Sequence, residues 1–300
     1  MSAPGPDRPI SQTSTSPTVA VLGTGTMGAG MARNIAAAGM PLRVWNRSRD
    51  KAEPLRECGA LVAESPAQAA EGADIVVTML FDMASVAEVM TMAAAGLSPG
   101  VLWLQTSTVG VVGAEALAGV AQGAGLSYVD APVLGTKQPA ESGELIVLAS
   151  GEPALRERVQ PVLEAVGKTT LWLGPAGAGS RLKLAVNAWV LTVVEGVAES
   201  LALTEALGLD PHHFLDAVRG GPLDAPYVQL KGAAMLAGDF SPAFGLAGAA
   251  KDAGLVVAAA QEAGVDSSLL EVVESHLRRA VDAGHGDLDM SATYLEHGRR

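Results

Sequence analysis

Lys183 and Asn187 are the two side chains whose types and spacing most directly suggest catalysis. They stand four residues apart in a segment, 182–207, whose nearly continuous apolar residues predict a long buried helix, so both lie on one helical face. A lysine in apolar surroundings costs free energy unless it is paired or used. Reduction of a carbonyl group needs a proton donor at the oxygen, and a lysine whose pKa is shifted by burial and a nearby cofactor can supply that proton. Asn187 could then hold the substrate oxygen or orient the lysine.

A glycine-rich segment at 23–28, GTGTMG, follows an apolar run that predicts a strand and precedes a helical pattern. In this context the G-x-G-x-x-G spacing predicts a turn that binds the pyrophosphate of a dinucleotide. Gly23 permits the tight turn, Gly25 lets the backbone approach the phosphates, and Gly28 lets the helix pack on the strand. The helix N-terminus adds unpaired N–H groups for the anion.

The residues after the second predicted strand select the cofactor. An acidic residue there would accept a hydrogen bond from the ribose 2′-hydroxyl of NAD. The sequence instead reads Asn46-Arg47-Ser48, with no carboxylate before Asp50. The guanidinium of Arg47 suits a 2′-phosphate, and Asn46 and Ser48 add neutral hydrogen-bond donors. These residues favour NADP(H) over NAD(H).

Short apolar runs that alternate with helical patterns must position these residues. The runs predict strands at 18–22, 42–45, 74–80, 101–105, 126–130 and 145–150, with helices between some of them, including 26–38 and 48–58. This alternation predicts an α/β fold whose N-terminal domain is a doubly wound Rossmann sheet. Residues 1–17, rich in Pro, Ser and Thr, predict a disordered tail before an NADP-binding domain at 18–179.

After a joint rich in glycine at 174–179, the pattern becomes helical throughout. The long helix at 182–207 is followed by helical periods at 211–219, 229–236, 247–263 and 267–282. Residues 180–300 are therefore predicted to form an all-α substrate and dimerisation domain, joined to the sheet domain by the long interdomain helix. Because the apolar residues of that helix exceed one face, we expect a homodimer or homotetramer.

The composition of the 300 residues excludes several classes of protein. Hydrophobic residues make up 49%, which excludes wholesale disorder, and a net charge of −12 argues against a nucleic-acid or membrane partner. The single cysteine, Cys58, excludes an internal disulfide and a cysteine-cluster metal site. The adjacent histidines His212 and His213 lack the spacing of metal ligands, so we expect surface or capping roles and no metal. Without a signal-peptide pattern, a cytoplasmic location is expected.

Several motifs after residue 17 resemble, in the same order, those of the β-hydroxyacid dehydrogenases. They are GTGTMGAGMARN at 23–34, Met79-Leu80, Ser107-Thr108-Val109, Asp130-Ala131-Pro132-Val133, the helix start at 177–187 and Lys251-Asp252. Within that family, the Asn46-Arg47-Ser48 turn and GTKQPAESG at 135–143 are most similar to the glyoxylate and succinic semialdehyde reductases. The resemblance implies an NADPH-dependent oxidoreductase that reduces a small aldehyde acid or oxidises the matching β-hydroxyacid.

The resemblance also implies roles for individual residues. Lys183 matches the catalytic lysine, and Asn187 matches an asparagine beside the substrate. The positions that match substrate-binding residues are Thr108, Leu134, Gly135, Thr136, Phe244 and Asp252. Those that match cofactor-binding residues are Gly23, Gly25, Thr26, Met27, Gly28, Asn46, Arg47, Ser48, Met79, Leu80, Phe81, Thr108 and Lys251. Residues 289–292 resemble a D-x-S-A element near the family's C-terminus.

The predicted substrate loop departs from the pattern of the family it resembles. That pattern is Val-Ser-Gly, in which the serine helps to hold the substrate carboxylate, whereas this chain has Val133-Leu134-Gly135-Thr136. Leu134 has no hydrogen-bond donor, although Thr136 carries a hydroxyl group close by. We therefore expect glyoxylate to be a poorer substrate than a longer or less polar aldehyde.

Two other functions are compatible with parts of the sequence. An imine reductase shares this architecture and this type of cofactor turn, and Leu134 would suit an uncharged substrate, but those enzymes usually lack a lysine at the position of Lys183. A non-catalytic protein that binds the cofactor as a sensor or interaction partner is the second alternative. The combination of Lys183, Asn187 and Asp252 argues against it.

Overall fold

The sheet of the N-terminal domain has nine strands among the residues that the computed structural model describes, which are 16–297. The expected tail at 1–17 therefore lies outside the described residues, apart from Ser16 and Pro17. The strands are β1 (Val19–Leu22), β2 (Leu42–Trp45), β3 (Leu61–Val62), β4 (Ile75–Thr78), β5 (Leu102–Gln105), β6 (Ser127–Asp130), β7 (Val133–Leu134), β8 (Leu145–Gly151) and β9 (Gly167–Trp172).

The strand order confirms the doubly wound Rossmann sheet. Strands β3-β2-β1-β4-β5-β6 are all parallel neighbours, which is the order of a dinucleotide-binding fold. Beyond β6 the sheet continues with β8, which is antiparallel to both β6 and β7 and parallel to β9. The carboxyl ends of β1 and β4, which are neighbours, define the crevice where such folds bind ligands.

Helices cover both faces of this sheet. They are α1 (Gly28–Ala37), α2 (Pro66–Ala70), α3 (Met83–Ala93), α4 (Gly110–Gly123), α5 (Lys137–Glu141) and α6 (Arg156–Val166). Alternate residues of each central strand enter opposite cores: Val21 and Val77 face one, whereas Leu22 and Val76 face the other. Burial on both faces explains why these strands are continuous apolar runs rather than alternating ones.

Three strands and one helix differ from the sequence-based expectation. The strands β3, β7 and β9 were not predicted; β3 and β7 have two residues each, and β9 contains the polar run Lys168-Thr169-Thr170. The helix expected at 48–58 is not one continuous helix. It is a pair of 3-10 helices, Arg49–Lys51 and Glu53–Cys58, and proline in the second of them is compatible with a tight first turn.

The described C-terminal residues form the all-α domain expected from the pattern. Its helices are α7 (Ala178–Ala206), α8 (His212–Val218), α9 (Pro226–Ala237), α10 (Leu246–Glu262) and α11 (Ser268–Ala280), followed by a 3-10 helix at Met290–His297. The long helix α7 begins four residues earlier than expected, inside the glycine-rich joint, and its first turn touches β8 of the sheet domain. It therefore belongs physically to both domains.

Helix α7 is the one helix, within the chain that the structure describes, whose length and apolar composition would allow it to cross a membrane. In the fold it packs against α9, α10 and the Met290–His297 segment. Its buried side chains include Leu191, Val194 and Leu201 of the C-terminal core. The central helix of a folded core meets the same criteria of length and composition.

Candidate active site

A cleft of about 630 Å³ lies between the sheet domain and the helical domain. Many of the site residues expected from the sequence line it together. From the sheet domain these are Thr26, Met27, Met79, Leu80, Phe81, Thr108, Gly135 and Thr136, and from the helical domain Lys183, Phe244, Lys251 and Asp252. The walls of the cleft thus combine the ends of the Rossmann strands with α7 and α10.

Lys183 is the titratable group whose environment is best suited to proton transfer in this cleft. Its ammonium group donates a hydrogen bond to the carbonyl oxygen of Val133, at 2.8 Å. Burial lowers the pKa of Lys183 to about 8, against the opposing attraction of Asp252, and the positive charge of Lys251 lowers it further. A pKa near neutrality allows this lysine both to release and to accept a proton.

A second set of charged groups ties α10 to α7 at the floor of the cleft. The carboxylate of Asp252, which is 4% exposed, accepts a hydrogen bond from the Asn187 amide at 2.7 Å and pairs with the Lys251 ammonium group at 2.7 Å. Lys251 also donates to the carbonyl oxygen of Thr108 at 2.8 Å and lies over the ring of Phe81. Asn187 does not itself line the cleft, and its amide group is bonded to Asp252 rather than to Lys183.

The first turn of α7 is held by a buried carboxylate that the sequence reasoning did not assign to the site. Asp130, at the end of β6, accepts hydrogen bonds from the Ser180 amide at 2.9 Å and the Ser180 hydroxyl at 2.8 Å. Ser150 donates to the same carboxylate at 3.2 Å and accepts from the Gly179 amide at 3.0 Å. Asp130 therefore caps the helix that carries Lys183.

The glycine-rich turn has the geometry that a pyrophosphate requires. Gly23 has a φ of +103°, and a Cβ on Gly28 would lie 1.9 Å from the carbonyl oxygen of Gly23, so α1 starts directly against the end of β1. A Cβ on Gly25 would meet nothing within 4 Å, and the buried hydroxyl of Thr24 has no hydrogen-bond partner among residues 16–297. The open backbone and the orphaned hydroxyl fit a dinucleotide phosphate group placed at the N-terminus of α1.

The three residues expected to bind the 2′ position of the cofactor ribose lie in two different environments. Asn46 accepts a hydrogen bond from the Thr24 amide at 3.0 Å and donates to the Ser48 carbonyl at 3.0 Å, so it holds the turn together. Arg47 and Ser48 are exposed at the end of β2. Lys51, which the sequence reasoning missed, also lines the cleft and adds a second cation beside this turn.

The loops after β4 and β5 are fixed by hydroxyl groups. Ser107 accepts a hydrogen bond from the Leu80 amide at 2.9 Å, and the hydroxyl of Thr106 donates to the Thr78 carbonyl at 2.7 Å. These bonds place Met79, Leu80 and Phe81 along one side of the cleft. Ser107 is the first residue of the Ser107-Thr108-Val109 motif. Its positioning role depends on the carboxyl ends of β4 and β5, which become neighbours only in the folded sheet.

The predicted substrate loop enters the cleft at Gly135 and Thr136 but not at Leu134. Leu134 lies half-buried on β7 and pairs with Ile146 of β8, so its contact with a substrate stays a prediction. Thr136 occupies the residue before α5 without using its hydroxyl group to cap that helix. That hydroxyl is the polar group of the loop best placed to meet a ligand.

The D-x-S-A element at 289–292 has an identifiable structural role. Asp289 accepts hydrogen bonds from the Ala243 amide at 3.0 Å and the Phe244 amide at 3.1 Å, and it forms a buried ion pair with Lys231 at 2.6 Å. It thereby fixes the segment whose Phe244 lines the cleft. The sequence alone does not indicate this role, because the partners of Asp289 lie 45 to 58 residues away.

Comparisons with known proteins match nearly the whole described chain. A family model of the NAD binding domain of 6-phosphogluconate dehydrogenase matches residues 18–174. A second model, described as the NAD-binding domain of NADP-dependent 3-hydroxyisobutyrate dehydrogenase, matches residues 177–295. Glyoxylate/succinic semialdehyde reductase 2, a chloroplastic protein of Arabidopsis thaliana, is 33% identical over 277 residues, which cover 91% of this chain and 77% of that protein.

Solved structures show the same two-domain architecture. The 3-hydroxyisobutyrate dehydrogenase of Mycobacterium tuberculosis, solved with L-serine, superposes with a TM-score of 0.84 at 29% identity, covering 94% of this chain and 99% of that one. An imine reductase of Myxococcus stipitatus in complex with NADP+ gives a TM-score of 0.64 at 25% identity, covering 93% and 99%. The chain therefore belongs to the 3-hydroxyisobutyrate dehydrogenase-like β-hydroxyacid dehydrogenases, a family of NAD(P)-dependent oxidoreductases.

Proposed function

We propose that this protein is an NADPH-dependent reductase of a small aldehyde acid, which in reverse oxidises the matching β-hydroxyacid. The observation that carries the proposal is the half-buried Lys183, held by the Val133 carbonyl in the interdomain cleft with a pKa of about 8. The name of the Arabidopsis thaliana relative, a glyoxylate/succinic semialdehyde reductase, supports this substrate class. The exposed Arg47 and the cleft residue Lys51 support NADPH.

The nicotinamide cofactor supplies the hydride when it is bound, and the chain's own residues manage the proton. Lys183 donates a proton from its ammonium group to the carbonyl oxygen in reduction and takes it back in oxidation. The Val133 carbonyl fixes the position of the ammonium group, at 2.8 Å. Asp252, held by Lys251 and Asn187, places one negative charge near two lysines and so offsets part of their positive charge.

Replacement of Lys183 should lower the rate of the chemical step without weakening the binding of NADPH. We expect Lys183→Ala to lower kcat by about 10²–10⁴, the usual contribution of general acid catalysis, while NADPH binding and Tm stay close to wild type. Lys168→Ala, which removes the same charge from the exposed strand β9, is the matched control and should keep full activity. Steady-state kinetics and NADPH fluorescence titration measure both properties. A Lys183→Ala enzyme with more than about a third of the wild-type kcat would exclude Lys183 as the proton donor.

The pH dependence of kcat should report the lowered pKa of Lys183. The proton donor is the protonated lysine, so reduction should be fastest below its pKa and should slow as the pH rises through about 8. Oxidation needs the neutral lysine and should accelerate over the same range. Profiles of kcat in both directions test this, and a reduction rate that stays flat to high pH would contradict it.

Thr136 should recognise the carboxylate of the substrate. A hydrogen bond to a charged group contributes about 1.5–3 kcal/mol, so we expect Thr136→Val to raise KM for glyoxylate or succinic semialdehyde about tenfold or more. Thr136→Ser keeps the hydroxyl and should stay near wild type. An uncharged aldehyde of similar length should be turned over equally well by all three enzymes. Equal losses for charged and uncharged aldehydes would show that Thr136 has only a packing role.

Arg47 should give the preference for NADPH. A charge-assisted contact with the 2′-phosphate contributes about 1.5–3 kcal/mol, which corresponds to roughly 10- to 150-fold in kcat/KM. Arg47→Asp should abolish or reverse the preference, whereas Arg219→Asp, at an exposed position after α8, should leave it unchanged. The ratio of kcat/KM for NADPH and NADH is the measurement. Equal values for the two cofactors in the wild-type enzyme would refute this role of Arg47.

Imine reduction is the second candidate function, because an imine reductase shares the fold and Leu134 adds no donor for an anionic substrate. Lys183 argues against it, since reduction of an iminium carbon does not require a proton at a carbonyl oxygen. NADPH oxidation measured against matched panels of aldehydes and cyclic imines separates the two. A non-catalytic binding protein would oxidise NADPH with neither panel.

The chain should act as a homodimer or homotetramer, with α7 in the interface. Among the described residues, the outer face of α7 exposes Trp189 by 66% and Leu203 by 60%, although these are large apolar side chains. Burying them between subunits removes apolar surface from water. Light scattering should give a multiple of 30.4 kDa, and Trp189→Glu should lower it. A wild-type chain that stays at 30.4 kDa at micromolar concentration would contradict this expectation.

A further inference from the structure

Two carboxylates on the second half of α7 form a cluster with two imidazoles from neighbouring elements. Glu195 and Glu199 are one turn apart on this helix, His276 lies on α11, and His297 is the last residue of the C-terminal 3-10 helix. Glu195 is eight residues beyond Asn187, which corresponds to about 12 Å along the helix axis. The cluster is therefore separate from the candidate active site.

Both imidazoles point at one carboxylate oxygen. The Nδ1 atom of His276 lies 2.5 Å from Oε1 of Glu195, and the Nε2 atom of His297 lies 2.7 Å from the same oxygen. The other oxygen of Glu195 accepts a hydrogen bond from the Thr293 hydroxyl at 2.9 Å. Glu199 is close as well, with its Oε1 atom 3.9 Å from Nδ1 of His276. One ligand atom from each of the four side chains lies within 4.8 Å of all the others.

Among residues 16–297, no lysine or arginine forms an ion pair with this cluster. Glu195 is only 3% exposed, and its ion pairs with the described residues involve His276 and His297 alone. With neutral imidazoles, Glu195 and Glu199 give the cluster two negative charges. Buried charges in proteins are paired or coordinate a metal, because an isolated charge in apolar surroundings is unfavourable.

We propose that Glu195, Glu199, His276 and His297 bind a structural divalent cation of the Zn²⁺ type. Imidazole nitrogens and carboxylate oxygens are ligands that zinc prefers, and four protein ligands are typical of a closed structural site. A tetrahedral site with bonds of about 2.0–2.2 Å separates its ligands by about 3.4 Å. The separations of 2.5, 2.7 and 3.9 Å lie on both sides of that value, and every pair of ligand atoms lies within 4.8 Å. Glu199, whose side chain is 57% exposed, leaves the ion a route from solvent.

The cation would fasten the C-terminal segment to the helical domain. Its ligands come from three elements, α7, α11 and the Met290–His297 helix, which are far apart in sequence. The Met290–His297 helix directly follows Asp289. The carboxylate of Asp289 accepts a hydrogen bond from the amide of Phe244, which lines the cleft. Binding to the folded chain alone raises its stability by mass action.

Calorimetric titration with ZnCl₂ of the full-length protein, first stripped with a chelator, tests the site. We expect one Zn²⁺ per chain and a rise in Tm of about 3 °C or more at saturation. His276→Gln and His297→Gln should each weaken Zn²⁺ binding by about 100-fold or more, because each removes a ligand. The matched control replaces both members of the exposed pair, His212→Gln and His213→Gln, and should bind like the wild type.

X-ray absorption at the zinc edge of the loaded wild-type protein keeps the test decisive if a glutamine variant fails to fold. The expected spectrum shows two imidazole nitrogens and two carboxylate oxygens at about 2.0–2.2 Å. Three results would overturn the proposal: no Zn²⁺ binding by the wild type, binding that is lost in the His212/His213 control, or a different ligand set in the spectrum. The first would mean that the two histidines only form hydrogen bonds with Glu195.

Discussion

Lys183 faces the cleft from a helix, α7, whose first turn is tied to the end of β6. The tie is the buried carboxylate of Asp130, which accepts the amide and hydroxyl hydrogens of Ser180 at the positive end of the helix. The approach is so close that a Cβ on Gly179 would lie 2.0 Å from the carbonyl oxygen of Leu148. A helix that begins at this point carries Lys183 past the Val133 carbonyl, which holds its ammonium group.

The same arrangement sets the acidity of the lysine. Burial against the sheet domain lowers the pKa of Lys183, and Asp252 opposes that effect without cancelling it. Burial also raises the pKa of Asp130, while the hydrogen bonds from Ser180 and Ser150 act in the other direction. The helical domain then completes the site, because Lys251 and Asp252 of α10 link Asn187 to the Thr108 loop. The helix α7, which contacts both domains, thus forms one wall of the cleft.

Much of the architecture follows from local patterns, whereas the groups that position the site do not. Long apolar runs such as Ile75–Thr78 identify buried parallel strands, and the Gly23–Gly28 spacing identifies the cofactor turn. The strands β3 and β7 are too short, and β9 too polar, to stand out in the sequence. Asp130 and the histidines around Glu195 were not assigned their roles, because their partners lie 20 to 102 residues away. Such contacts are made by tertiary packing, which periodicity does not encode.

The pH profile of Asp130→Asn tests the central claim, that anchoring of α7 sets the chemistry of Lys183. The amide keeps the size of the carboxyl group but loses the charge and one acceptor for Ser180. If the anchor holds Lys183 in its buried position, kcat for reduction should fall. Its decline with pH should move from about 8 towards the ordinary lysine pKa of 10.5, while NADPH affinity is retained. A variant with the wild-type kcat and a decline still centred near 8 would show that Lys183 is positioned without Asp130.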